Sequence, residues 1–416
     1  MGPIAAATLR TSVVFGLRLA LQALSLVLVA RVLGPHLYAA FAATLGVAFL
    51  AGAVSTFGTH LVVLSESSKA EGQSIAALRF APPVTIGVGL VLLAAYAGWV
   101  ITWMRDDGIS PVAILAIGVA EILAMPLLQL VAAELQGKGK IAGSQMLLLA
   151  PLVVRCAAIA IIQLTSPPDS LLAFALAYTA GVAAIVLGTS ATLAPWLLRI
   201  KAWRIPRWRQ LKNCAGFAAV NLAALGPAEA DKVLAFRVLE PLSAGIYSAA
   251  SRVIGAAVGP IVALMIAASP RLFREAPTST VNGTAIRLER GLMLASVATG
   301  VSLAIALIVA SPAFDYLFGS KYEGIGEIVA QFAWVVPLMG LRITTGNIVM
   351  TRGRPFVRAV TDALGLGVLC LAAILGAPQY GIAGMIAAVC AAETVVLVLN
   401  LVVLRSERFA VRSFNE

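Results

Sequence analysis

The amino-acid sequence predicts an all-α integral membrane protein of twelve transmembrane helices in two pseudo-symmetric six-helix bundles. Three observations carry this. First, 60% of the 416 residues are hydrophobic and only 12% are charged, with a mean hydropathy of +0.97. Soluble domains carry roughly 25% charged residues, so so few charges could not cover a water-facing surface of this size. Second, the apolar residues fall into twelve runs of the length a helix needs to cross a bilayer, about 20 residues. Third, one motif occurs twice, 206 residues apart. Arg31-Val32-Leu33-Gly34-Pro35 is followed by Phe41-Ala42-Ala43, and Arg237-Val238-Leu239-Glu240-Pro241 by Tyr247-Ser248-Ala249. Each copy joins one apolar run to the next. A membrane protein built from two similar halves can rock around a shared central site.

The runs lie at 11–33, 38–64, 80–103, 111–133, 141–164, 170–198, 214–238, 243–269, 289–311, 325–350, 357–377 and 381–404. Arg10 ahead of the first run gives it the look of a secretory signal. Its length is that of a span, however, and it is expected to be retained as the first helix. The runs are continuous rather than alternating, which excludes barrel strands. The organisation follows: an N-terminal six-helix bundle at 1–198, a basic linker at 199–213 and a C-terminal six-helix bundle at 214–416.

Basic residues orient the spans. Alternate loops hold Arg10; Lys69 and Arg79; Lys138 and Lys140; Arg199, Lys201, Arg204, Arg207, Arg209 and Lys212; Arg271, Arg274, Arg287 and Arg290; Arg352, Arg354 and Arg358; and Arg405, Arg408 and Arg412. That is 21 of the 30 basic residues; the opposite loops hold only Arg31, Arg105, Arg237 and Lys321. Both termini and the linker are therefore expected on the cytoplasmic side. The net charge of +11 is a topology signal and not a nucleic-acid surface. The linker interleaves Trp203 and Trp208 with its six basic residues. It reads either as a solvated connection with its aromatic and basic groups at the headgroups, or as an amphipathic helix that binds anionic lipid or a partner.

Ionisable groups inside spans cost roughly 2.5–3.5 kcal/mol each at the bilayer centre and normally face a cavity or a partner. Helical rise places Glu121, Arg155, Arg252 and Glu393 near mid-membrane, Arg18, Arg342 and Asp362 toward the cytoplasmic side, and Glu229, Asp231 and Lys232 toward the outer side. The seventh run is the most unusual. Asn221 precedes Leu225-Gly226-Pro227, where the missing backbone donor should kink the helix, and Glu229, Asp231 and Lys232 follow at once. Either these charges pair internally and hold the bundle, or the segment is a gating kink that lines the transport path. Arg18, Arg155, Arg252 and Arg342 could each be interhelical glue. Together, on four spans, they fit a wet cavity that attracts an anion, with Asn221 and Lys232 beside them, because the planar guanidinium donates in pairs and stays charged. If an ion is coupled, the carboxylates available are Glu229 and Asp231, then Glu121 and Glu393.

Cys156, Cys214, Cys370 and Cys390 form no C-x-x-C and read as small buried hydrophobes. His36 and His60 have no metal-ligand spacing. Gln136-Gly137-Lys138-Gly139-Lys140 lacks the spacing of a phosphate-binding loop and reads as a turn. Gly87-Val88-Gly89 and Gly365-Leu366-Gly367 read as close helix packing. No metal, cofactor or ATP site is expected.

Five stretches, in order along nearly the whole chain, resemble one family. They are Ala30-Arg31-Val32-Leu33-Gly34-Pro35; Asp231-Lys232-Val233-Leu234 through Gly245-Ile246-Tyr247-Ser248-Ala249-Ala250; Tyr316-Leu317-Phe318-Gly319; Arg352-Gly353-Arg354-Pro355; and Tyr380-Gly381-Ile382-Ala383-Gly384. The chain is similar to polysaccharide-exporter oligosaccharide flippases of the multidrug/oligosaccharidyl-lipid/polysaccharide exporter superfamily. It departs from them at Tyr38-Ala39, where Tyr-Gly is usual. The resemblance implies a transporter, not an enzyme, that flips a polyprenyl-diphosphate-linked oligosaccharide across a bacterial inner membrane for O-antigen, capsule or exopolysaccharide synthesis. Its implied partners are that cargo, membrane lipids, a polysaccharide polymerase and glycosyltransferases, with the chain itself a monomer. An ion-coupled multidrug exporter of the same fold would instead need an acidic cavity. A membrane glycan polymerase would need a long catalytic outer loop, and every outer loop here is short.

Overall fold

The computed structural model describes residues 3–68, 74–103, 109–275 and 283–412. Side chains at 216–228, and at some residues near the ends of these stretches, are not described. No strand occurs among the described residues, which are almost wholly helical.

Among the described residues, eight helices are long and apolar enough to cross a membrane, and the pair Ile325–Ala333 and Val335–Thr351, bent by 44°, makes a ninth. Two of the eight are twice the needed length, and each is two spans joined at a glycine. Pro3–Ser55 breaks at Gly34 (φ 72°, ψ 168°), and Pro355–Arg412 breaks at Gly381 (φ 57°, ψ −133°). A side chain strains at such backbone angles, so glycine stands at both corners. Trp208–Val238 completes the twelve.

The spans in order are 3–33; 35–55 with Thr59–Ser67; Ser74–Trp103; Pro111–Gly137; Ile141–Thr165; Ser170–Thr192; Trp208–Val238; Pro241–Ala257 with Gly259–Glu275; Gly283–Val309; Ile325–Thr351; 355–380; and 382–412. Proline opens the helix after several loops, as Pro111, Pro241 and Pro355, where its missing N–H would have no helical partner anyway. Asp169 caps the sixth span, its carboxylate accepting from Leu172 N–H at 2.9 Å.

The chain divides into two compact units, Met1–Leu222 and Ala223–Glu416, the division falling within the seventh helix. In the first unit, Phe41, Phe174 and Tyr178 pack together, and Val63, Phe80, Val84 and Leu130 form a second core patch. In the second unit, Tyr247, Ile254, Ile261, Phe332, Val336, Leu369 and Met385 form one cluster. Many buried positions in both units are Ala, Ser or Thr, while Leu90, Val91, Leu164, Leu294 and Leu371 are exposed. Small residues inside with large aliphatics outside suit lipid as the solvent, because helices in lipid associate through close packing.

Irregularities recur in each unit. The second span breaks at Phe57-Gly58, and the eighth breaks at Val258. The fourth span carries a π-helical turn at Val119–Ala124, and the tenth is bent at Trp334. The repeated motif also sits alike within each unit: Arg31 and Arg237 are exposed at a span end, the chain turns at Gly34 or Glu240, and proline starts the next helix.

Candidate functional site

In the first unit, the π turn of the fourth span presents Glu121 to its neighbours. Pro126 has no N–H for the carbonyl of Ile122, and Met125 N–H bonds instead to Ala120 five residues back. Glu121 is buried. Its Oε1 accepts from Arg155 Nη2 on the fifth span at 2.9 Å and from Tyr178 Oη on the sixth at 2.7 Å. Arg155 Nη2 lies 2.9 Å from the Tyr178 hydroxyl, and its guanidinium stands 4.7 Å from the centre of that ring. Gly52 and Gly89 let the second and third spans approach this turn, since a Cβ on Gly52 would strike the Glu121 carbonyl and one on Gly89 the Leu123 side chain. Arg18 on the first span donates to the neutral amide of Gln145 at 3.3 Å and not to a carboxylate.

The second unit carries two such clusters. On the seventh and eighth spans, Asp231 Oδ1 pairs with Lys232 Nζ at 2.9 Å. Its Oδ2 accepts from Tyr247 at 3.0 Å and from Ser251 at 2.6 Å. Glu229 Oε2 lies 3.3 Å from Arg252 Nη2 and 3.9 Å from Lys232 Nζ. On the last three spans, Arg342 Nε donates to Glu393 and its Nη1 to Asp362 at 3.4 Å. Arg358 stands 3.6 Å from the other Asp362 oxygen and donates to Asn347 at 3.2 Å.

The structure thus brings most of the sequence-derived candidates together. Glu121 meets Arg155; Glu229, Asp231, Lys232 and Arg252 meet one another; and Glu393 meets Arg342. Arg18 stands apart from these clusters. Gly226 and Pro227, where a gating kink was expected, and Asn221 have side chains outside the described residues; one helix, Trp208–Val238, runs through all three positions. Tyr178, Tyr247, Ser251 and Gln145 were not singled out as site residues, because a hydroxyl or an amide gives little hydropathy signal, and Arg358 was read only as a loop charge. Proline five residues after Glu121 was a usable sign of the π turn. Of the glycine runs, Gly89 and Gly365 make close approaches, whereas Gly87 and Gly367 meet nothing within 4 Å of an added Cβ. Gln136–Lys140 is a turn, with Gly139 N–H bonded to Gln136.

Each cluster places carboxylates against cations inside low-dielectric helix packing. Breaking such a pair leaves a bare buried charge, whereas altering it by protonation or by a competing anion shifts the local charge balance without removing an atom.

No family model matches the chain, and no curated protein sequence matches it. Solved structures do match in fold. A multidrug resistance MATE family transporter of the MOP superfamily, in an inward-facing conformation, aligns with TM-score 0.75 at 11% identity, covering 95% of this chain and 96% of its own. The lipid II flippase MurJ, in an inward closed conformation, aligns with TM-score 0.74 at 13% identity, covering 95% and 87%. An outward-facing MATE family transporter aligns with TM-score 0.68 at 12% identity, covering 98% and 96%. The protein has the multi-pass, twelve-helix membrane fold of MOP-superfamily transporters.

Proposed function

We propose that the chain is a flippase of a polyprenyl-diphosphate-linked oligosaccharide in a bacterial inner membrane, with residues 1–198 and 214–416 as its two moving halves. The observation that carries this reading is Arg18 on a neutral partner. A diphosphate can approach that guanidinium without displacing a carboxylate. Arg155, Arg252 and Arg342 would have to exchange a carboxylate partner for the headgroup, which suits transient contacts during passage. The motif resemblance to oligosaccharide flippases and the fold likeness to a lipid II flippase support the same cargo class.

If transport is ion-coupled, Glu229 is the better carrier and Asp231 the poorer. Asp231 is held by three donors, each of which protonation would weaken, whereas the Glu229 contacts are longer. Glu121 and Glu393 come next. The second reading, an ion-coupled multidrug exporter, draws support from the MATE transporters, whose fold likeness equals that to the flippase.

The test is flipping of a fluorescent polyprenyl-diphosphate glycan by purified protein in liposomes, beside uptake of a fluorescent organic cation. Flipping of the glycan, slowed by Arg18→Ala and partly retained by Arg18→Lys, supports the flippase. Movement of the cation alone overturns it in favour of the exporter.

A further inference from the structure

The connection between the sixth and seventh spans has two faces. Its inner face is fastened to the first unit. Ala194 and Leu197 are buried among Val131, Leu135 and Leu147, and Trp196 donates its indole N–H to Glu134 at 2.7 Å. Lys138 pairs with the same carboxylate at 2.6 Å, and Arg204 N–H bonds to the carbonyl of Arg79 at 2.9 Å. The strap is thus pinned to the ends of the third and fourth spans and held in one orientation.

Its outer face is apolar and basic. Leu193, Leu198, Ile200, Ile205 and Trp208 are exposed, Ile205 at 93% and Trp208 at 77%. Arg199, Lys201, Arg204, Arg207 and Lys212 are exposed among them. No Asp or Glu occurs between Asp169 and Glu229, so the segment holds no acid of its own to balance these charges, and Glu134 is already taken by Trp196 and Lys138. The strap starts where the sixth span ends, at Thr192, and gives way to the apolar run of the seventh, so it lies at the bilayer boundary. Exposed isoleucine and tryptophan belong in the acyl boundary there, and the guanidinium and ammonium groups belong at headgroup phosphates.

We propose that the strap 193–212 is an interfacial platform that selects anionic phospholipids of the leaflet it faces. A phospholipid satisfies both halves of the surface at once, acyl chains against Ile205 and Trp208 and an anionic headgroup against the basic residues. Each basic residue near an anionic surface can enrich such lipid up to about fivefold, an attraction that salt screens.

The test is fluorescence quenching in bilayers where either phosphatidylglycerol or phosphatidylcholine carries brominated chains, at equal mole fraction. The Trp208 signal is taken as the difference between the parent protein and Trp208→Phe. Brominated phosphatidylglycerol should quench that signal more strongly than brominated phosphatidylcholine. The excess should shrink when salt rises from about 0.05 M to about 0.5 M in the unaltered protein. Lys201→Gln, Arg204→Gln and Arg207→Gln combined should remove at least about half of it, while Lys201→Arg, Arg204→Lys and Arg207→Lys combined should keep it. Equal quenching by the two lipids, or an excess indifferent to both salt and charge, overturns the proposal. Quenching by neither lipid also overturns it, because the strap would then face water or a protein.

Discussion

The two units set the same three spans to different charge patterns. In the first, an acid on the fourth span, Glu121, meets a base on the fifth, Arg155, and a tyrosine on the sixth. In the second, the base stands on the tenth span, Arg342, and the acids Asp362 and Glu393 stand on the eleventh and twelfth. The seventh and eighth spans add Glu229, Asp231, Lys232, Tyr247, Ser251 and Arg252. The motif offset puts Ala23, Ser25, Leu26, Phe41, Leu45 and Gly46 at the matching places of the first unit. The first unit is built without these charges, so such a bundle does not need them to form. They are additions to a shared frame, and the proposed transport cycle is what would use them.

The largest effect should come from Arg342→Ala, which strands the buried Glu393, leaves Asp362 with only the longer contact from Arg358, and should cost roughly 4–5 kcal/mol, in the upper range for broken buried pairs. Thermal unfolding in detergent, or failure to accumulate, would register it. Arg155→Ala should cost less, about 3 kcal/mol, because Tyr178 still donates to Glu121. A larger loss at Arg155 than at Arg342 would break the ordering of the two units.

A packing difference comes next. Gly52→Ala drives a methyl group into the Glu121 carbonyl and should lower stability by about 1–3 kcal/mol, whereas Gly98→Ala meets nothing within 4 Å and should be neutral or stabilising. Comparable melting temperatures for the two variants would show that the π turn relaxes freely. The smallest effect, about 1 kcal/mol, is expected from Trp196→Phe, which removes the indole bond to Glu134 and keeps a smaller aromatic ring in its place. Limited proteolysis should then cut the strap sooner.

Much of the frame was legible in the sequence, because lipid demands unbroken apolar length and basic loops mark its ends. The twelve runs recur as spans, and the repeated motif marks a turn followed by a helix-starting proline. Breaks within spans were less visible. The 38–64 run hid the turn at Phe57-Gly58, and 325–350 hid the bend at Trp334, since neither interrupts hydropathy. The sixth helix stops at Thr192, short of the expected 198, because Pro195 begins a separate turn. The charges were visible, but their partners were not. Arg18 finds Gln145 across 127 positions and Arg342 finds Glu393 across 51, and only helix packing sets those meetings. Internal pairing on the seventh span was legible in part, from the three-residue spacing of Glu229 and Lys232.

The most direct test of divided labour is to neutralise the second unit's added charges together, as Glu229→Gln, Asp231→Asn, Lys232→Met and Arg252→Met. Replacing a whole buried ion set by neutral groups of similar size is often harmless to folding. The combined variant should therefore accumulate and melt close to the parent, yet lose gradient-driven flipping of the labelled polyprenyl-diphosphate glycan in liposomes. Failure of the variant to fold would contradict this by assigning the charges to packing, and parental flipping by a folded variant would contradict it by removing them from transport.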